Sequence, residues 1–162
     1  MGKTPKKEKK EKKEKEVEAM EEDAVAPVRT LIPIAKPLAD DKLGKKVLKL
    51  AKKAAKKKQI KRGVKEVVKA IRKNLKGICI LAADISPLDV ITHIPVLCED
   101  NAVPYLYVTS KEELGAAGLT KRPTSCMLVM PKPAKGSAEK DEEFDESYKE
   151  VHKKVKSMQP VF

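Results

Sequence analysis

The sequence predicts an α/β protein, a single-domain three-layer α-β-α sandwich with a short mixed sheet. Short apolar runs alternate along the chain with amphipathic helical stretches, which is typical of a sheet covered by helices on both sides. The runs are apolar at successive positions, so both faces of each strand are expected to be buried. The 162 residues suit one domain with extensions. We expect the domain over residues 40–157 and a C-terminal end over 158–162.

Two segments precede this domain. Residues 1–23 mix Lys and Glu around almost no apolar residues, so we expect a disordered tail that cannot bury enough surface to fold. Residues 24–39 contain Pro27, Pro33 and Pro37, which exclude a regular helix. They predict an extended arm that packs either on the domain or on a partner. Neither a secretory signal nor an apolar run long enough to span a membrane is expected.

Two amphipathic helices are predicted between residues 40 and 77. Asp40 or Asp41 would cap the first helix, which has an apolar face and a lysine-covered face. The second begins near Gly63, and Gly77 is expected to end it. The apolar residues of the first helix are Leu43, Val47, Leu50, Ala51 and Ala54, and those of the second are Val64, Val67, Val68, Ile71 and Leu75.

Three strands and three further helices complete the prediction. The strands are 78–82, 104–108 and 125–130. Ser86 and Pro87 would begin a helix that Pro95 bends and Asn101 closes, and Ser110 would cap a short helix that follows. A last amphipathic helix is marked by Phe144, Tyr148, Val151 and Val155.

The positive charge of the chain is concentrated in one block. The net charge is +12, and residues 40–76 alone hold 16 Lys or Arg against three acids. A field of that kind attracts a polyanion, although a solubilising surface is the alternative. Aromatic residues are only 3%, which argues against a stacking platform for single-stranded bases.

Residues with catalytic potential are sparse. His93 lies four residues after Asp89 and near Cys98, which would suit an acid–base pair on one helical face, but no third ligand or nucleophile has suitable spacing. Cys79, Cys98 and Cys126 are scattered, and we expect them to be buried thiols of a reduced intracellular protein. We therefore predict no enzyme, no metal and no cofactor, with a small α/β transferase using His93 or Cys98 as the rival.

A basic constellation surrounds Gly63. Lys58, Lys61 and Arg62 precede this glycine, and Lys65, Glu66 and Lys69 follow on the first turns of the helix. Cations beside the free N–H groups of a helix start form a good phosphate site, and Glu66 could accept hydrogen bonds from base amino groups. A second basic pair, Lys121 and Arg122, is expected at the sheet edge that also holds Ser86.

Several of these segments resemble the kink-turn RNA-binding ribosomal protein family. The stretch 97–108 with 110–111 and 114–115 is similar to its signature, 62–69 to its RNA-binding helix start, and 115–123 to its RNA-contacting loop. The resemblance covers about residues 40–157 and implies an α-β-α sandwich that binds RNA. The site residues it implies are Gly63, Lys65, Glu66, Lys69, Ser86, Thr120, Lys121, Arg122 and Ser125.

Within the family, the amino-acid sequences of these segments most resemble those of subunits of H/ACA small nucleolar ribonucleoproteins. That implies binding of H/ACA guide RNA, support of rRNA pseudouridylation, rRNA processing and ribosome biogenesis, association with telomerase RNA in animals, and a nuclear and nucleolar location. The implied protein partners are a small scaffold subunit, a pseudouridine synthase subunit that performs the catalysis and a glycine/arginine-rich subunit. A membrane and a small-molecule substrate are not expected.

Two residues depart from the strong kink-turn binders of the family. Those proteins carry Asn where this chain has Lys65, and an acidic residue where it has Ser86. Both changes remove groups that read tilted G·A pairs, so we expect weaker structure specificity and more phosphate-driven affinity, with the scaffold partner supplying placement. The alternatives are a kink-turn-binding subunit of the large ribosomal subunit, or of a C/D-type or spliceosomal particle, and a scaffold module for acidic proteins.

Overall fold

The computed structural model describes residues 31–132 and 142–159. Within these ranges a sheet lies between two layers of helices, which confirms the predicted sandwich, and none of the helices is long and apolar enough to cross a membrane. The elements are α1 (Asp41–Lys56), β1 (Ile60–Arg62), α2 (Val64–Arg72), β2 (Ile78–Ala82), a 3₁₀ turn (Leu88–Val90), α3 (His93–Asp100), β3 (Tyr105–Val108), α4 (Lys111–Ala117), β4 (Cys126–Val129) and α5 (Glu142–Met158).

The sheet has four strands in the order β1-β4-β2-β3. Strands β2 and β3 are parallel, whereas β4 is antiparallel to both β2 and β1. The sequence prediction missed β1. This strand is only three residues long and contains one apolar residue and two cations, so it carries no periodic signal. Its pairing with β4, which sets Ile60 opposite Val129 and Arg62 opposite Met127, defines it.

Two apolar cores cover the two faces of the sheet. Helices α1, α4 and α5 pack on one face and α2 and α3 on the other. Successive strand residues alternate between the two cores, as with Cys79 and Ile80 in β2, because side chains in a strand point to opposite faces. Burial of all strand residues in β2, β3 and β4 follows from this double cover.

The arm before the domain lies along β3 in its described part, residues 31–39. The N–H of Tyr107 donates to Pro37 O at 2.9 Å, the N–H of Ala39 donates to Tyr107 O at 2.8 Å, and the N–H of Ile32 donates to Ala83 O at 2.9 Å. The sequence left open whether the arm packs on its own domain or on a partner, and residues 31–39 pack on their own domain. There they pair with the edge strand β3, whose outer backbone groups would otherwise lack partners. Residues 1–30 lie outside the described ranges.

The second helix is shorter than predicted. It ends at Arg72, and Asn74 follows with a φ of +56°, which no helical residue has. Leu75 and Gly77 therefore lie beyond it. Instead of ending the helix, Gly77 lies against β4, where an added Cβ would be 2.5 Å from Val129 O.

The segment after β2 also differs from the prediction. The predicted helix from Ser86 is a 3₁₀ turn followed by a separate helix that begins at His93. Pro95 therefore lies in the first turn of α3, where a missing N–H costs nothing, and it does not bend the helix. The predicted end is confirmed, because Asn101 caps α3 and donates from Nδ2 to Leu97 O at 2.8 Å.

The cap at Ser110 and the last helix agree with the sequence. Ser110 Oγ accepts the N–H of Glu113 at 3.3 Å, and the first helix begins after Asp40 without a side-chain cap bond. The apolar residues named for α5 are all buried.

Two ion pairs hold α5 against α1. Lys46 Nζ lies 2.7 Å from Glu150 Oε1, and Lys53 Nζ lies 2.5 Å from Glu143 Oε1. The hydrogen bonds from these lysines hold the pKa values of both carboxyl groups below their usual value. A carboxyl group whose pKa is lower in the folded state stabilises that state at pH values above its unfolded pKa. This contribution, which is small for exposed pairs, is therefore lost as the pH falls and the two carboxylates are protonated.

Gly77→Ala is expected to destabilise the protein by about 1–3 kcal/mol, because its Cβ would meet strand backbone that cannot move freely. Gly44→Ala is the matched control. Gly44 lies in α1 with only Ala39 Cβ at 4.0 Å, so this change should stabilise by about 0.5–1 kcal/mol. Urea unfolding of both variants measures the difference, and equal free energies of unfolding would contradict the packing argument.

Candidate nucleic-acid interface

Three chain segments meet at one edge of the sheet. The end of β2 lies beside the start of β4, where the N–H of Ala82 donates to Ser125 O at 2.9 Å. The junction of β1 and α2 lies on the other side of β4, where the N–H of Gly63 donates to Cys126 O at 2.9 Å. The start of α2, the loop after β2 and the loop after α4 are therefore neighbours.

The start of α2 combines free backbone donors with cations. Gly63 precedes the helix at a φ of +82°, a conformation that favours glycine, and it has no side chain to occupy the free N–H groups of the first turn. Lys65 and Glu66 are exposed in this turn, and Lys69 is exposed one turn later. This arrangement suits an anion such as phosphate.

The loop after α4 is held in place by its own polar contacts. Arg62 Nη1 donates to Gly118 O at 3.0 Å, while Thr120 Oγ1 donates to Arg122 O at 2.9 Å and accepts the Arg122 N–H at 3.1 Å. Thr120 and Arg62 thus position the loop, and Lys121 and Arg122 are exposed.

Close packing of a glycine also fixes this loop. An added Cβ at Gly115 would lie 2.3 Å from Arg122 O, so any side chain in that position would displace the basic pair. The glycines of this region, which match no nucleotide-binding motif, therefore serve the shape of the loop.

Clefts flank α2 on both sides. One, of about 510 Å³, is lined by Lys58, Lys61, Glu66, Lys69, Ala70, Lys73 and Leu75. The other, of about 480 Å³, is lined by Val64, Lys65, Val68, Lys69, Arg72, Lys73 and His93. Both contain Lys73, and one contains Arg72. The sequence prediction did not select either residue, although Lys65, Lys69 and Lys73 share a spacing of four.

The predicted RNA-binding residues do not all lie at the shared sheet edge. Lys58 lies just after α1, before β1, whereas Gly63 follows β1 at its other end. Ser86 is exposed and follows β2 at the shared sheet edge, and Ser125 is half-buried there, with its carbonyl bound to β2. We define the sheet-edge surface as Arg62, Gly63, Lys65, Glu66, Lys69, Lys121 and Arg122.

The candidate catalytic groups do not form a site. Asp89 lies in the 3₁₀ turn and His93 in α3, so the expectation that both residues lie on one face of a single helix is wrong. In the described ranges no three His, Cys, Asp or Glu side chains could hold a metal ion together. Cys79, Cys98 and Cys126 are free and buried, as predicted. Burial raises the pKa of Cys126 to about 12.

This combination defines a class, namely small basic α/β domains that present a cationic helix start and loop at one sheet edge. The chain matches the Ribosomal protein L7Ae/L30e/S12e/Gadd45 family over residues 45–138, and it belongs to that family. The resemblance seen in the sequence is thereby confirmed.

Similar proteins carry related names. A protein of Arabidopsis thaliana named H/ACA ribonucleoprotein complex subunit 2-like protein is 52% identical over 131 residues, which are 80% of this chain and 84% of that protein. A Schizosaccharomyces pombe protein named as an H/ACA ribonucleoprotein complex subunit is 58% identical over 89 residues, 55% of this chain and 58% of its own length. The Giardia lamblia 15.5kD RNA binding protein superposes with a TM-score of 0.69 at 30% identity, covering 80% of this chain and all of that one.

The native protein is expected to show no thiol that reacts rapidly with a thiol reagent at neutral pH. Burial blocks access to all three sulfurs, and a raised pKa leaves little reactive thiolate at Cys126. Mass spectrometry after iodoacetamide treatment should find no label on the native chain and three labels after unfolding in denaturant. Rapid native labelling at Cys98 would instead favour the rival transferase.

Proposed function

We propose that this protein is a non-catalytic RNA-binding subunit of an H/ACA small nucleolar ribonucleoprotein. It binds H/ACA guide RNA and supports pseudouridylation of rRNA and ribosome biogenesis. The observation that carries the proposal is the convergence of the α2 start and the Lys121–Arg122 pair on one sheet edge. The names of the similar proteins from Arabidopsis and fission yeast support the choice of particle.

The sheet-edge surface would grip RNA mainly through phosphates. Lys65 and Lys69 add charge to the free N–H groups of the α2 start, and Lys121 and Arg122 hold a second stretch of backbone from the loop. Glu66 is the one acid of this surface and would accept hydrogen bonds from base amino groups. The loop contacts would keep these groups in place before RNA arrives, which lowers the entropy cost of binding.

The full set of proposed RNA-contacting residues includes those that flank the surface. Thr120, Ser125 and Ser86 would contact the RNA from the loops after α4 and β2, and Lys58 and Lys61 from the cleft beside α2. The set is Lys58, Lys61, Arg62, Gly63, Lys65, Glu66, Lys69, Ser86, Thr120, Lys121, Arg122 and Ser125.

The chemistry of the particle would belong to another subunit. We infer that the pseudouridine synthase subunit performs catalysis, and that a small scaffold subunit and a glycine/arginine-rich subunit complete the assembly. This assignment places the protein in the nucleus and nucleolus, and telomerase RNA is a further ligand in animals. The scattered positions of His93 and the buried cysteines support a non-enzymatic role.

A second function is a kink-turn-binding subunit of the ribosome, or of a C/D-type or spliceosomal particle. The structural similarity to the Giardia 15.5kD RNA binding protein favours it. Lys65 and Ser86 argue against it, because a lysine at a helix start and a serine at the sheet edge offer fewer acceptors for base edges than amide and carboxylate groups do.

Replacing Lys65, Lys69 and Lys121 together by Ala should weaken binding of H/ACA guide RNA and reduce the slope of log affinity against log salt by about 2–3, because each lost phosphate contact removes about one released ion. Filter binding across a salt series measures both quantities. The control is Lys149, Lys153 and Lys156→Ala in α5, which removes equal charge elsewhere. Equal slopes for the two variants would end the proposal.

The paired change Lys65→Asn and Ser86→Glu separates the two functions. It should raise affinity for an isolated kink-turn by about thirtyfold or more, since it restores two groups that read base edges, worth ~1–3 kcal/mol each. Fluorescence anisotropy with a labelled kink-turn measures the change, with an unbent duplex as control. If the unmodified protein binds the kink-turn as tightly as the paired variant does, and far more tightly than it binds the unbent duplex, the second function is correct.

A further inference from the structure

Helix α1 carries a second cationic surface on the opposite face of the molecule from α2. Four exposed lysines form it, Lys45, Lys49, Lys52 and Lys56, and we call them the α1 row. We propose that the α1 row is a second RNA-backbone site, which holds a segment of guide RNA distinct from the one at the sheet-edge surface. This inference rests on the proposed function for its ligand, although its geometry is independent of the first site.

The row is long enough to span a run of phosphates. Its members are separated by four, three and four residues, which places them within a sector of about 60° on the helix surface. From Lys45 to Lys56 the row is about 16 Å long at the rise of an α-helix. About five phosphates along one strand of a duplex occupy that length.

The row is chemically separate from two other lysines of α1, Lys46 and Lys53. Lys46 and Lys53 face α5 and bond to its carboxylates at 2.7 and 2.5 Å, so they serve the packing of the two helices. No member of the α1 row has an ion pair within the part of the chain that the structure describes. Among the described residues, these four exposed ammonium groups therefore have no carboxylate that competes with a ligand.

A comparison with α5 distinguishes the row from an ordinary solvated face. α5, a helix of 17 residues, mixes five acids with four lysines, whereas α1, of 16 residues, has seven lysines and only Asp41 as an acid. Solvated helices intersperse both signs because like charges four residues apart destabilise a helix. Lys45 and Lys49, and again Lys52 and Lys56, stand at that spacing, and a bound polyanion would relieve the repulsion.

The position of α1 determines which RNAs reach the row. α1 packs on the core that α4 and α5 share, and α2 packs on the other core, across the sheet. The chain enters α1 beside Tyr107, where the N–H of Ala39 donates to its carbonyl, so Lys45 lies toward the shared sheet edge and Lys56 away from it. A short hairpin at the sheet-edge surface would leave the row empty, whereas a full-length guide RNA could continue along it.

The test replaces the whole α1 row by Gln in the full chain, which keeps helix propensity and removes four charges. The control removes four charges from scattered exposed lysines, Lys36, Lys132, Lys149 and Lys153. On a full-length H/ACA guide RNA, the row variant should lower the salt slope of binding by about 3, and the control variant should change it little. On a hairpin cut from that RNA and too short to reach the row, the row variant should bind as the unmodified protein does.

Hydroxyl-radical footprinting of the same guide RNA gives an independent measurement. We expect two protected segments with the unmodified protein, of which only one is lost in the row variant and only the other in the Lys65, Lys69 and Lys121 variant. Thermal unfolding at a midpoint equal to that of the control variant shows that the row variant is folded.

Several outcomes would overturn the second site. Equal slopes and equal footprints for the row and control variants would do so and leave the sheet-edge proposal intact. Loss of an acidic protein subunit from the reconstituted particle, with RNA binding unchanged, would assign the row to a protein instead. Unchanged binding by the Lys65, Lys69 and Lys121 variant, with the row variant impaired, would end the proposed use of the sheet edge and retain the row.

Discussion

The antiparallel pairing of β4 with both β2 and β1 is the constraint on which the candidate interface depends. Because β4 runs against its two neighbours, its first residues lie beside the last residues of both, and two hydrogen bonds, from Ala82 to Ser125 and from Gly63 to Cys126, join the segments. If β4 were parallel, the loop with Lys121 and Arg122 would lie at the far end of the sheet from the start of α2.

Backbone contacts hold the cationic segments at this sheet edge in a defined arrangement. The side chain of Arg62 bonds to Gly118 O, Thr120 bonds within its loop, and Gly115 leaves room for the carbonyl of Arg122. The bond from Arg62 to Gly118 O ties the backbone that carries the loop cations to the segment that leads into α2. The combined field of the cations on the loop and on α2 can then select the spacing of phosphates as well as negative charge.

The sheet divides the basic block of residues 40–76 into two separate cationic surfaces. In the sequence, residues 40–76 form one cationic run, but α1 lies on one core and α2 on the other. Surfaces that face opposite directions would contact separate segments of a polyanion. Two moderate contacts on one long RNA add their free energies in part, because the second is made at a high effective concentration.

Local patterns in the sequence were sufficient for the elements that depend on near neighbours. The apolar periodicity of α1 and α5, the cap at Ser110, the end of α3 at Asn101 and the burial of the cysteines follow from residues within a few positions of one another. The motifs around Gly63 and in the 115–123 loop also sufficed to indicate the family.

Tertiary structure alone decided the features that depend on distant pairs. Strand β1 exists because β4 offers it hydrogen bonds, and the arm lies on β3 because Tyr107 offers its backbone groups. Gly77 is needed for its approach to Val129, not for ending a helix, and the face on which each lysine of the basic block lies follows from the packing of α1 and α2. None of these could be read from local periodicity, because the partner in each case is many residues away in the chain and its position is set only when the sheet forms.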